Sequence, residues 1–254
     1  MDQEKKKEEQ KIFSSQDDQY VFPYHHIPYI NNDMTISRTR ILNWGFDYLA
    51  CKYHAIKTIE SFSPRSVLEV GCGDGAIIGA VSRKISRRVG VDLSTRAIAF
   101  AKAFYNDIEF YADDVKNIDE KFDCIMLIEV LEHIPDDQLT PFLNVIESKL
   151  TGKGKIYISV PSINLPLYKK HYRHYTPELL EKQITDARIN VNIDCCRYFR
   201  SPSKLENIYK RLTCNRFFVG EINFIKNYIW RKSLININRC HSKTAQHVIM
   251  ILSK

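Results

Sequence analysis

Residues 66–75 read S-V-L-E-V-G-C-G-D-G. A short apolar run passes directly into glycines at 71, 73 and 75. The run has the length and bulk of a fully buried strand. Glycines after it let the chain turn tightly and let a ligand approach the backbone. The spacing is not the G-x-G-x-x-G pattern that seats a pyrophosphate on a helix N-terminus. No G-x-x-x-x-G-K-[ST] sequence for a triphosphate occurs either. Glu69 and Asp74 sit in and beside the turn. Carboxylates there repel phosphate and suit a ligand bearing an ammonium and a sulfonium.

Outward from this turn the chain alternates. A helix is expected over 36–62 before it and another over 76–85 after it. RRVGVD (87–92) reads as a second strand and STRAIAFAKAFY (94–105) as a helix. IEFYADDV (108–115) and FDCIMLIEV (122–130) supply a third and a fourth strand. A helix is expected over 140–150, with Thr140 as N-cap, Pro141 in the first position and Gly152 just past the end. KIYISVPS (155–162) is a fifth strand, and Thr176-Pro177-Glu178 opens a further helix. Residues 190–198 form a sixth strand, 204–232 one or two helices, and AQHVIMIL (245–252) a seventh strand. Buried strands alternating with helices specify an α/β fold, a parallel sheet covered on both faces.

The balance of 37 Lys+Arg against 30 Asp+Glu gives +7, with 44% apolar and 26% charged residues among 254. Such a composition excludes wholesale disorder, collagen and coiled coil. Residues 201–254 carry ten basic and two acidic side chains, so that segment is +8 and the remainder about −1. An anionic partner would meet the basic segment. Residues 1–19 are expected to be a disordered tail and 20–62 an arm and helix. The main domain then covers 63–254, with a basic helical insertion over about 201–239. Seven scattered cysteines without a C-x-x-C exclude a zinc ribbon and argue against a disulfide framework. The first residues are too charged for a secretory signal, and no apolar run has the length of a bilayer span. The cytoplasm is therefore the expected location.

Asp92 ends the second strand, where a carboxylate can accept from both hydroxyls of a ribose. Asp113 and Asp114 end the third, where a carboxylate can accept from an adenine amino group. Together they describe a nucleoside with a positive, phosphate-free tail.

E-V-G-C-G-D-G (69–75), G-V-D-L-S (90–94), A-D-D (112–114) and I-E-V-L-E-H-I (128–134) together resemble the class I S-adenosylmethionine-dependent methyltransferases, over about residues 66–187. The resemblance implies a Rossmann-like seven-stranded sheet, mostly parallel, with the last strand antiparallel between the fifth and sixth. S-adenosyl-L-methionine is the implied cofactor. Gly71, Gly73 and Gly75 would surround its methionine part, with Glu69 and Cys72 in the same turn. Asp92 would meet the ribose and Asp113 with Asp114 the adenine, and Leu93 would also line the cofactor. Ile128 and Glu129 would flank the methionine ammonium.

Methyl transfer to a hydroxyl needs an aligned nucleophile and a group that takes its proton. His133 lies on the loop after the fourth strand. His171 and His174 lie in K-H-Y-R-H-Y-T (170–176), after the fifth. These three are the candidate catalytic residues. The leading expectation is O-methylation of a small molecule, sugar or lipid-linked intermediate, with no metal and no nucleic acid. Two alternatives stay open. Glu129, Glu132, His133 and a later histidine resemble the metal-binding set of small-RNA 3′-terminal 2′-O-methyltransferases, although Ile134-Pro135 stands where that family carries a second histidine. The third reading is a cofactor-binding regulatory protein without transfer activity. The apolar and basic stretch 217–232 reads as a helix packed on the sheet, a cap on the acceptor pocket, or an amphipathic helix on an anionic membrane.

Overall fold

A computed structural model describes residues 10, 14, 30, 33–34, 42–215, 220–235, 237–238 and 240–254. Apart from those single positions, the expected tail 1–19, the arm from 20 and the first residues of the first helix lie outside the described residues. The elements are α1 (Leu42–Ser61), β1 (Ser66–Val70), β2 (Arg87–Asp92), α2 (Thr95–Phe104), β3 (Glu109–Ala112), β4 (Phe122–Ile128), α3 (Asp136–Ser148), β5 (Leu150–Pro161), α4 (Pro177–Asp186), β6 (Asn192–Phe199), α5 (Lys204–Thr213), α6 (Asn223–Ile235) and β7 (His247–Ser253).

They form one seven-stranded sheet in the order β3-β2-β1-β4-β5-β7-β6. The pairs from β3 through β5 are parallel. β7 runs antiparallel between β5 and β6. The strand order reverses between β1 and β4, which opens a crevice at the carboxyl edge of the sheet. Alternate strand residues feed two cores. Leu68, Ile125, Leu127 and Ile158 pack with Leu139, Leu143 and Ile184 of α3 and α4. On the other face Val67, Met126 and Tyr157 pack with Ala55 and Ile59 of α1 and Ile98 and Ala101 of α2.

Two helix caps fall where the sequence puts them. Ser94 Oγ accepts from the Ala97 N–H at 3.1 Å and Thr176 Oγ1 from the Leu179 N–H at 3.2 Å. Two expected elements differ. In place of a helix over 76–85 there is only a 3-10 turn, Ile78–Ala80. Gly75 and Gly79 weaken helix propagation there, and the buried Glu69 carboxylate takes the Ile78 N–H at 2.8 Å. The helix expected from Thr140 starts instead at Asp136 behind Pro135, and Pro141 lies inside it. Asp136 and Asp137 favour the N-terminal turn through the helix dipole. Gly152 falls in the irregular start of β5, not at a helix end.

The segment between β6 and β7 folds as α5 and α6, which pack Tyr209, Ile229 and Trp230 on Phe46, Leu49 and Ala50 of α1. A buried charge network pins it. Arg200 Nε meets Asp47 Oδ1 at 2.9 Å, and its Nη2 meets Glu206 Oε1 at 2.5 Å. Lys210 Nζ meets Asp47 and Glu206 at 3.1 and 2.9 Å. Two cations thus face two carboxylates. No helix among the described residues is long and apolar enough to cross a membrane.

Candidate active site

The turn after β1 is built on glycine. Gly71 and Gly75 have φ of +70° and +75°. A Cβ on Gly71 would lie 2.8 Å from Val130 Cγ2, and one on Gly75 2.8 Å from Phe110 Cζ. Both conformation and space therefore exclude a side chain at these two positions. The Gly71 and Cys72 N–H groups donate to the Val91 carbonyl at 2.8 and 3.1 Å. Asp92 completes the fastening: its Oδ2 accepts from Gly73 N–H at 2.9 Å and its Oδ1 from Ser94 N–H at 2.8 Å.

The Asp113 N–H donates to the Asp92 carbonyl at 3.1 Å, which brings the ends of β2 and β3 together. The exposed Asp113 carboxylate accepts from Asn117 Nδ2 and from the Asp114 N–H, each at 2.7 Å. These bonds, the one from Asn117 first, hold it below the usual carboxylate range. Asp114 accepts from Lys116 N–H and caps a 3-10 turn, Val115–Asn117. Leu93, beside Asp92, is 60% exposed and offers an apolar surface to a planar ring. Cys72 is buried, and burial pushes its thiol up. Glu69 lies beneath the turn, 2% exposed, and burial pushes its carboxyl up to about 8. It braces the turn from inside.

Lys52 was not among the sequence candidates. It is 5% exposed on α1. Burial pulls its ammonium down, against the attraction of Asp74 and Glu69. Among the described residues no carboxylate stands within ion-pair distance of it. The signal was present in the sequence: position 52 falls on the apolar stripe of Leu49, Ala55 and Ile59.

Ile128 is the last residue of β4, and Glu129 follows it with φ +56°. A non-glycine residue in that region is strained by about 1–2 kcal/mol. Its N–H donates to the Ser159 carbonyl at 2.8 Å, and its Oε1 lies 3.2 Å from His247 Nδ1. His247, at the head of β7, is a second residue missed. Burial opposes its charge, yet the facing Cys51 and Glu129 outweigh this and push the imidazole well up.

The loops after β4 and β5 meet beyond Glu129. Arg173 clamps them together: its Nη1 donates to the Leu131 carbonyl at 3.0 Å and its Nη2 to the Ile134 carbonyl at 2.7 Å. The clamp brings the three candidate histidines into one row. The His133 and His171 rings are 4.6 Å apart, and the His171 and His174 rings 5.1 Å. A carbonyl only accepts, so the bonds His133 Nδ1 to Lys170 O (2.9 Å) and His174 Nδ1 to Leu165 O (3.1 Å) place a proton on each Nδ1. His174 Nε2 then accepts from His171 Nδ1 at 2.8 Å. His133 and His171 are each left with a lone pair on Nε2. Burial first, then neighbouring positive groups, pulls the His171 ring down to about 3, and burial lowers the other two. All three are neutral at pH 7. Glu132 lies against them, fully buried, with both carboxylate oxygens lacking a hydrogen-bond partner among the described residues. One ligand atom each of Glu132, His133 and His171 lie within 4.8 Å of one another. The glycine turn touches Val130, and this cluster begins two residues later, so the two sites adjoin.

Comparison with known proteins bears on the family and the fold. A family model described as a methyltransferase domain matches residues 45–212. A ubiquinone biosynthesis O-methyltransferase of Paracidovorax citrulli is 36% identical over 90 residues, covering 31% of this chain and 38% of that one. A protein of Invertebrate iridescent virus 6 that carries a methyltransferase name is 27% identical over 143 residues, covering 52% and 53%. The chain spans about half the length, or less, of these curated relatives. The crystal structure of magnesium protoporphyrin IX methyltransferase from Synechocystis with bound S-adenosylhomocysteine aligns with a TM-score of 0.58 at 13% identity, covering 95% of this chain and 94% of that one.

Proposed function

The chain belongs to the methyltransferase-domain family and uses S-adenosylmethionine, and we propose that it methylates a hydroxyl of a small molecule. The site suits that donor. The buried Lys52 ammonium suits the donor's carboxylate. Asp92 would meet the ribose, Asp113 and Leu93 the adenine side, and Glu129 the ammonium.

When bound, S-adenosylmethionine supplies an electrophilic methyl on a sulfonium. The chain's residues must then hold the acceptor in line and take its proton. His171 and His133 present Nε2 lone pairs beside the donor turn. As the acceptor oxygen bonds to carbon, its proton passes to one of these nitrogens. The carbon–sulfur electron pair stays on sulfur. His174 fixes the His171 tautomer. The row of three neutral imidazoles is the observation that carries this reading. The name of the Paracidovorax relative, an O-methyltransferase, supports an oxygen acceptor.

One observation favours a second reading. The buried, unpartnered Glu132 carboxylate beside two imidazole lone pairs is a donor set that suits a divalent cation. Such an ion would hold the acceptor oxygen in place of a general base.

Transfer of labelled methyl to a panel of phenols, hydroxylated lipids, amines and RNA 3′ ends, with and without chelator, tests both readings. Labelled hydroxyl products that form in chelator support the leading reading. Loss in chelator with recovery on adding a divalent ion supports the second. Methylated amines alone, RNA alone, or donor binding without turnover would overturn the proposal.

A further inference from the structure

Helix α5 is built inside out. Its buried face carries Glu206, Tyr209, Lys210 and Thr213, while Leu205, Ile208 and Leu212 stand in solvent. Positions 205, 208 and 212 form one stripe along the helix. The outermost, Leu212, is 64% exposed. Helix α6 buries Ile229 and Trp230 against α1 but carries a second apolar stripe outward. Lys226 is buried and paired with Glu221, whereas Phe224, Tyr228 and Ile235 are exposed, Phe224 by 76% and Ile235 by 72%. An ordinary surface helix does the opposite. The inward charges are already satisfied by the ion pairs with Asp47, Arg200 and Glu221. They hold each helix with its apolar stripe outward.

The exposed charges on these helices have one sign. Lys204 and Arg211 flank the stripe of α5, and Arg231 and Lys232 flank that of α6. Glu206 and Glu221 are both turned inward into ion pairs. An apolar stripe bordered by cations is the arrangement of a helix lying in the headgroup region of a bilayer, with long basic side chains reaching phosphate. A second copy of the chain would bring the same cations against these, so charge complementarity selects an anionic surface.

We propose that the outer faces of α5 and α6 form a docking surface for an anionic lipid bilayer. The inference concerns binding alone and does not rest on the acceptor reading.

Sedimentation of the full chain with vesicles tests it. Phosphatidylglycerol–phosphatidylcholine vesicles are compared with pure phosphatidylcholine, at low and high salt. Retention on the anionic vesicles is expected to be strong, weak on neutral ones, and reduced by salt. Reversing Lys204 and Arg211 to Glu should weaken partitioning about fivefold per charge. Leu205→Ser with Leu212→Ser, and separately Phe224→Ser with Ile235→Ser, should each release the protein while leaving S-adenosylhomocysteine affinity unchanged. That unchanged affinity marks a folded variant. Equal retention on both vesicle types, or binding that neither serine pair alters, would overturn the proposal. So would a concentration-dependent dimer that the same serine pairs dissociate.

Discussion

His171 and His174 meet nitrogen to nitrogen, Nδ1 to Nε2 at 2.8 Å, and His174 turns its other nitrogen to the Leu165 carbonyl. One ring therefore sets the tautomer of the other. His171→Ala is expected to lower kcat by about 10²–10⁴ with donor affinity unchanged. His174→Ala should cost less, because it releases the His171 tautomer without removing the ring. Single-turnover rates alongside calorimetry of S-adenosylhomocysteine check this. An unchanged rate in both variants, and in His133→Ala, would remove the histidine row from the reaction.

Asp92 fastens the turn through Gly73 and Ser94, and on the proposed reading its remaining lone pairs would take the ribose hydroxyls. Asp92→Ala should weaken donor binding by about 1–3 kcal/mol. Calorimetry with S-adenosylhomocysteine reads it directly.

The proposed pairing of Lys52 with the donor carboxylate can be tested by trimming either side. Lys52→Met should weaken S-adenosylhomocysteine by about tenfold, the loss of one charge-assisted hydrogen bond. Binding of methylthioadenosine, which has no amino-acid tail, should be unaffected. Equal weakening of both ligands would place Lys52 outside the site.

Gly71→Ala sets a methyl 2.8 Å from Val130 Cγ2 and forces a φ of +70° on alanine. Donor affinity is expected to fall steeply. Val130→Ala in the same chain should recover the steric part and leave a deficit of about 1–2 kcal/mol from backbone conformation. A double-mutant cycle on donor affinity measures the coupling.

His54 makes stability depend on pH. Its Nδ1 lies 2.9 Å from Tyr157 Oη, and burial, assisted by Arg197, pulls the ring from 6.5 down to about 4. The folded chain thus binds fewer protons than the unfolded one in this range. Stability from His54 is complete above pH 6.5 and drains as pH falls toward 4, by about 3 kcal/mol in all. Denaturant titrations across that window should show the loss, and His54→Gln should flatten it.

Much of the sheet was legible because most strands carry an apolar run and two of the crossover helices their own caps, Ser94 and Thr176. The turn after β1 was legible for a similar reason: glycine and aspartate at strand ends are local signals, and both fall in the turn as expected. The short turn at Ile78–Ala80 was not, because it is decided by the Glu69 carboxylate nine residues earlier in the chain. Lys52 and His247 were hidden for a related reason. His247 gains its significance from Glu129, far back in the chain, and Lys52 from the field of Asp74 and Glu69 in the distant turn, while periodicity marks them only as misplaced polar residues. The inward charges of α5 were equally silent, since Glu206 and Lys210 find Asp47 far back in α1.

Phe199 and His247 stand opposite each other on the β6–β7 ladder. Residues 200–246 therefore leave and rejoin the frame at a single rung, as a detour whose ends are already fastened. What ties the detour to the rest of the chain is the buried set of Arg200, Glu206 and Lys210 on Asp47 of α1, so an exchange within it has to keep those partners or replace Asp47 with them. Within that constraint, the β6–β7 register stays fixed whatever the detour carries on its outer surface.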